Sequence, residues 1–179
     1  SIGINGILQN NKNKDATDFP IPDYNLHDGG IYFYGKWKKD RWSVSGGIRY
    51  DLRHVQWNDF YVAEDALTGF DEQADVNNPN ADLQFEAFKK TYHGISGSVG
   101  ATFQANKNIS LKANIGRAYR APNLTEIGSK GLDPGAHIIY LGNRTFNPEF
   151  SLQEDLGINL KFKDVSGEVS LFNNNIQNF

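Results

Sequence analysis

The chain has 179 residues, with 18 Lys and Arg against 21 Asp and Glu, for a formal net charge of −3. That balance argues against a sequence-independent nucleic-acid binder, which needs a basic surface. Cysteine is absent, which excludes disulfides, thiolate zinc sites and a cysteine nucleophile. Mean hydropathy is −0.56 and no apolar run reaches about 18 residues, so no transmembrane helix is expected. The N-terminal segment lacks the charged-then-apolar pattern of a secretory signal. Methionine is missing throughout, and Ser1 reads as a processed or cut end. Aromatic residues reach 13% and glycines number 18, while apolar residues stay at 39%. This mixture suits sheets with wetted faces better than a helical protein with a dry core.

In chain order, the extended segments alternate with period two. Residues 2–9 and 31–37 do so weakly. Trp42, Val44, Gly46, Ile48, Tyr50 and Leu52 then form one row, and Ser43, Ser45, Gly47, Arg49 and Asp51 the other. Only a strand separates two such sets, because successive side chains point to opposite faces. Ile95, Gly97, Val99, Ala101 and Phe103 alternate with small polar residues, as do Ile109, Leu111, Ala113 and Ile115. Leu156, Ile158, Leu160 and Phe162 repeat the pattern, and residues 165–171 carry a weaker version. No segment has a convincing amphipathic helical period, so the fold class is all-β, with antiparallel up-and-down strands.

The connections sort by length. Short turns are expected at 38–40, 105–108 and 163–164, and long ones at 10–29, 53–90 and 120–150. In a meander every second connection lies at the same end, so all short turns share one rim and all long loops the other. This asymmetry suits an outer-membrane barrel, and strands of about 10–13 residues can cross a bilayer at a tilt. Trp37, Trp42, Tyr50 and Tyr119 are expected to form an interfacial aromatic girdle. A soluble up-and-down barrel or sandwich shows the same alternation. A ligand-binding module of that kind, however, needs an apolar inside and rarely carries loops this long. Bacterial membrane barrels have an even strand count from 8 upward, so about seven strands read as part of a larger barrel. The residues before Phe179, Gln177 and Asn175, also break the apolar alternation of a usual barrel ending. A cut barrel exposes two edges and an apolar face, so the isolated piece is expected to self-associate.

Three motifs are more specific. The stretch Arg117-Ala118-Tyr119-Arg120-Ala121-Pro122, followed by Glu126, resembles a segment of TonB-dependent outer-membrane receptors. Gly142-Asn143-Arg144-Thr145-Phe146-Asn147-Pro148-Glu149-Phe150-Ser151 is similar to that family's Gly-Asn-Pro-x-Leu-x-Pro-Glu-x-Ser element, with Arg144 in place of its first proline and Phe146 in place of its leucine. Gly47-Ile48-Arg49-Tyr50-Asp51 resembles a third family strand, and all three occur in the family's order. The resemblance implies a 22-stranded barrel with an N-terminal plug in its lumen. It implies an iron-complex receptor of the Gram-negative outer membrane, taking a ferric siderophore first and haem second. Extracellular loops would capture the ligand, and the inner-membrane TonB complex would supply energy through the plug. Residues 1–179 are then a piece of the barrel domain, with plug and remaining strands absent. A glycan or cobalamin importer of the same barrel type is the neighbouring reading.

The motif residues also have a local reading. Pro122 removes a ladder donor and lets the strand end. Arg117 falls on the apolar-parity side near that end, where its stem can snorkel or the alternation can slip. Arg120 and Glu126 are placed to pair across the loop base, and Glu149 to bind loop amides or an inward arginine. Pro148 sets the entry to the next strand.

Ligand contacts are sought among loop residues. The run 131–137 resembles the loop that precedes the Gly-Asn element in iron-complex receptors, which singles out His137 and Tyr140. His54 and Tyr61 lie in or beside another long loop, where Phe60, Phe70, Phe85 and Phe88 offer further stacking surfaces. Residues 58–86 hold eight carboxylates and no Lys or Arg. Asp75, Asn77 and Glu86 have some calcium-loop spacing, but Pro79 and Asn80 break it. The histidines His27, His54, His93 and His137 show no spacing of a metal site, so neither metal nor cofactor is expected. No nucleophile elbow or triad spacing is present, so the chain is not expected to be an enzyme. The Asn-x-Ser/Thr sequences at Asn108, Asn123 and Asn143 are acceptors only in a eukaryotic secreted protein.

Overall fold

The computed structural model describes residues 1–14, 16, 18–133, 135 and 137–178. Pro134 and Ala136 of the 131–137 run, and the terminal Phe179, lie outside the described residues. In chain order the strands are β1 (Ile2–Asn11), β2 (Tyr24–Lys39), β3 (Trp42–Trp57), β4 (Phe60–Glu64), β5 (Asp71–Ala74), β6 (Asp82–Phe85), β7 (Phe88–Gln104), β8 (Ile109–Arg120), β9 (Lys130–Asp133), β10 (Ile138–Leu141), β11 (Glu149–Lys161) and β12 (Ser166–Gln177). A single helical turn, α1 (Leu124–Gly128), precedes β9. Strands β1, β2, β3, β7, β8, β11 and β12 form one sheet in that order, each neighbouring pair antiparallel. Tight turns join β2 to β3, β7 to β8 and β11 to β12. In the first, Asp40 takes a left-handed φ of 50°, which a short polar side chain tolerates. The long connections all leave the opposite end. One folds into the three-stranded sheet β5-β4-β6, and another into α1 and the β9–β10 hairpin.

The apolar rows of the main sheet face outward and stay uncovered. Ile48 is 56% exposed, Val99 51%, Leu156 62% and Leu171 71%. The buried apolar cluster sits instead at the long-loop end, where Val55, Trp57, Leu26 and Tyr92 meet Phe19, Phe60, Phe85 and Ile127. Trp57 stacks on Phe88 with ring centres 4.5 Å apart, and Phe60 lies 5.2 Å from Phe19 and 6.0 Å from Phe85.

Strands β3 and β7 run further into the loops than their alternation indicates, to Trp57 and back to Phe88. The reason is an inversion of polarity. Beyond Leu52 the outer row becomes polar (His54, Gln56), while the inner row becomes apolar (Val55, Trp57) and is covered by loops. The helical turn α1 is likewise invisible to periodicity, since five residues do not define a 3.6-residue repeat.

The polar edge of the outer apolar band crosses the sheet obliquely. Its first polar residue is His27 in β2, His54 in β3, His93 in β7, Arg117 in β8, Glu154 in β11 and Asn173 in β12. His27 and His54 are level. His93 lies two residues past Thr91, the partner of His54, and Arg117 is level with Gly97, four residues further on. Glu154 is two residues past Leu152, the partner of Arg117, and is level with Asn173. The edge thus slides about eight residues in five strand steps, which at strand spacings of ~4.8 Å and rises of ~3.3 Å corresponds to a tilt of roughly 45–50°. Closed membrane barrels tilt their strands by about 35–45° against the axis. A band of constant height on such a wall has this slant.

A charge at the centre of that band is expected to be costly. Val99→Arg should lower the stability of the lipid-inserted parent barrel by about 2–4 kcal/mol, read by denaturant titration in vesicles. Thr102→Lys, on the opposite face, should change it by no more than about 0.5 kcal/mol.

Candidate functional site

The motif residues converge where β8 leaves the sheet. On the β7 side the pairing of β8 stops at Arg117, and the Tyr119 backbone N–H donates to Ser96 Oγ at 3.2 Å. Its ring lies over Gly94, in the space a Cβ there would need. Tyr119 therefore does not belong to the outward aromatic girdle. A glycine opposite on the polar face leaves room for the ring and draws it inward. Trp37, Trp42 and Tyr50 remain exposed on the outer face, at 54%, 47% and 41%. Arg117 lays its guanidinium 3.9 Å from the Phe150 ring centre and donates from Nη1 to the Ile95 carbonyl at 2.7 Å.

Arg120 holds two loop bases together. Nη1 and Nη2 donate to the two carboxylate oxygens of Glu126 at 3.0 and 2.9 Å, while Nε donates to Glu149 Oε2 at 2.8 Å and Nη2 to Glu149 Oε1. Register sets this up, because Arg120 faces Glu149 across the β8–β11 ladder. Glu126 also closes a capping box on α1. Asn123 Oδ1 accepts from the Glu126 N–H at 2.8 Å, and Glu126 Oε2 accepts from the Asn123 N–H at 2.7 Å. The Glu126 carboxyl is held below the usual carboxylate range, chiefly by hydrogen bonds from Arg120 and also by the Asn123 N–H.

The Gly-Asn element docks on the far end of the same turn. The Gly142 N–H donates to the Ser129 carbonyl and the Asn143 N–H to the Glu126 carbonyl, each at 2.7 Å. A Cβ on Gly142 would stand 2.7 Å from the backbone of Ile127, Gly128 and Ser129, so only glycine fits. Asn143 Oδ1 accepts from the Thr145 N–H and hydroxyl at 3.0 and 2.6 Å, which closes the following turn. Pro122 is buried, its carbonyl accepting from Arg53 Nη1 at 3.2 Å. The Pro148 carbonyl accepts from Asn178 Nδ2 at 2.9 Å.

A second set of pairs lines the polar face below. Arg53 grips Asp28 with Nε and Nη2 at 2.8 and 2.7 Å. Arg49 binds both oxygens of Asp51 and donates from Nη2 to Asn5 Oδ1 at 2.7 Å. These residues and Arg120 border a cleft of about 420 Å³. A second cleft of about 450 Å³ lies nearer the hairpin end, over Tyr32, Arg49, Ser98, Asn114 and Gln153. Arg53, Asp28 and Asn5 carry no motif, and strand pairing alone brings them here. The Asn123-x-x-Glu126 spacing, by contrast, is a readable cap signal.

The four ligand candidates occupy three separate elements. His137, with a left-handed φ of 55°, and Tyr140, 48% exposed, sit on the β9–β10 hairpin. Tyr61 lies on β4, beside a cleft with Gln73 and Val76. His54 is on the outer row of β3, its Nδ1 2.8 Å from Thr91 Oγ1. Phe60 and Phe85 are buried in the loop core, whereas Phe70 is 54% exposed. Carboxylates of the acidic loop serve local turns. Asp65 accepts from the Leu67 and Thr68 N–H groups and Asp75 from the Asn77 N–H and amide, and these bonds hold both below their ordinary range. Glu86 pairs with Arg144 at 2.9 Å. Among the described residues, no three carboxylates or histidines are gathered as a metal cluster.

The profile of the TonB dependent receptor-like β-barrel family matches residues 3–179. The chain belongs to that family, whose members are transporters and not enzymes. No curated protein matches. Among solved structures, a double mutant of the haemophore receptor HasR of Serratia marcescens, in complex with its haemophore and haem, is 17% identical with a TM-score of 0.67, over 89% of this chain and 26% of that one. The copper transporter OprC is 21% identical with a TM-score of 0.62, over 88% and 22%. The ferric-catecholate import receptor Fiu of E. coli K12 is 17% identical with a TM-score of 0.61, over 87% and 22%. The chain thus spans about a quarter of the length of these structures, and the likeness concerns the fold. The unclosed seven-stranded sheet is part of such a barrel.

Two outcomes follow for the loop base. Gly142→Ala should cost about 1–3 kcal/mol, because its methyl meets backbone that cannot rotate away; denaturant unfolding of the parent barrel measures it. The depressed Glu126 carboxyl stabilises the folded loop base above the ordinary carboxylate pKa, and that contribution is lost as pH falls through the depressed value. Hydrogen exchange of residues 121–128, corrected for intrinsic rates, should therefore accelerate below about pH 4, and Glu126→Gln should shrink the pH step to the part that Glu149 contributes.

Proposed function

We propose that this chain forms wall and mouth of a Gram-negative outer-membrane receptor that imports an iron complex, a ferric siderophore first and haem second. The observation that carries the reading is the slanted apolar band, with every long loop at the rim beyond its polar edge. That arrangement supports a bilayer-spanning wall whose loops face outward for capture. The three motifs in family order, with the 131–137 run, favour an iron complex. His137, Tyr140 and Tyr61 are the proposed contacts, since all three belong to elements of the loop end. His54 is left out because its ring lies on the outer row. Arg117, Arg120, Pro122, Glu126, Gly142, Asn143, Pro148 and Glu149 are assigned to building the loop base, and Arg49 to the paired charges on the polar face below it. Their hydrogen bonds run to one another, to neighbouring backbone and to adjacent strands. In the parent protein a plug in the lumen, pulled by the TonB complex, opens the path. The protein acts by binding and gating.

The test is ligand binding by the reconstituted full-length parent. Ferric siderophore or haem should bind tightly, and His137→Ala or Tyr140→Ala should weaken that binding. Tight binding of an oligosaccharide or a cobalamin, with no iron complex bound, overturns the reading in favour of an importer of those solutes.

A further inference from the structure

The histidines at the polar edge of the band stand 27 positions apart in sequence, yet strand pairing places His27 directly opposite His54. Both belong to the outer row, and their ring centres are 6.2 Å apart. His27 is exposed and His54 half-buried. We propose that His27 and His54 form a two-imidazole site for a borderline divalent transition metal, copper(II) or zinc(II), on the outer wall.

An imidazole nitrogen binds such an ion at about 2.0–2.1 Å, which puts a shared metal about 3 Å from each ring centre. Two such reaches sum to just under the 6.2 Å between the ring centres, so the exposed His27 ring need turn only slightly on its side-chain torsions to share one ion with His54. The surroundings also prepare His54 for ligation. Its Nδ1 lies 2.8 Å from Thr91 Oγ1. With the ring proton on Nδ1 donated to that hydroxyl, the Nε2 lone pair is left for the metal. Gln56 Oε1, 3.5 Å from Nε2, is too distant to hold it strongly. His93, diagonal to His54, packs against Tyr50 at 6.2 Å between ring centres and serves as the internal control. Imidazole pairs favour copper over zinc. Water at the band's edge completes the coordination sphere. The site lies on the opposite face of the sheet from the clefts, and the proposal stands whichever ligand the receptor imports.

The full-length parent in detergent, titrated with copper(II) and separately with zinc(II), tests the assignment by calorimetry and, for copper, by electron paramagnetic resonance. Wild type should bind an ion with two nitrogen ligands. His27→Ala and His54→Ala should each weaken that event at least about tenfold, and Thr91→Val by about tenfold through the lost orienting hydrogen bond. His93→Ala should leave it unchanged. The proposal is overturned if wild type binds neither ion, if the His27→Ala/His54→Ala double variant, still folded by circular dichroism, binds as wild type does, or if His93→Ala is equally damaging.

Discussion

Backbone amides and carbonyls have no water to turn to inside a bilayer, so a spanning sheet must satisfy them within its own ladder. Here seven antiparallel strands do so between neighbours, each paired with the next along the wall, while the outer edges of β1 and β12 have no partner strand among the described residues. Once the ladder is formed, side chains can point only to one face or the other. The chain uses that choice to put Val, Ile, Leu and Phe outside and Ser, Asn, Gly and paired charges inside. The exposed apolar residues thereby line up as one continuous outward face of the sheet.

Beyond the band the same two faces exchange roles. Outer positions become histidine, glutamine and threonine, suited to headgroups and water, while inner positions become valine, tryptophan and tyrosine. The inner residues supply a floor on which Phe19, Phe60, Phe85 and Ile127 of the loops settle. The protein thus has its compact core at the mouth and not between layers of sheet. Loop aromatics spent on that core are unavailable for stacking on a ligand, whereas Tyr140 and Phe70 stay exposed.

Much of this was legible in the residues. Ser43 to Leu52 can be nothing but a two-faced strand, and the Lys163-Asp164 turn needs no tertiary information. The sheet order followed from turn lengths. The strand ends did not, because the rule "apolar is outside" fails from His54 and Val55 onward, where loops cover the inner face. Tyr119 misled for a related reason: parity assigns it outward, and only the empty space over Gly94 redirects it. Of the loop-base set, the Arg120–Glu126 pair was visible as opposite charges six positions apart, and Glu149 as a partner for an inward arginine. The Arg53–Asp28 grip and the His27–His54 pairing follow from the register that the two-residue turn Asp40-Arg41 sets between β2 and β3, and reading the turn at 38–40 misplaces that register.

The seat of Gly142 on α1 has one more consequence. Hydrogen bonds from Gly142 and Asn143 fasten the returning chain to the backbone that ends the outgoing one, so the excursion from 130 to 141 begins and ends at one clamped point. Changes in its length or composition need not propagate into the wall. The chain therefore keeps rigid carpentry and exchangeable tip apart, and the hairpin can vary without renegotiating the scaffold that carries it.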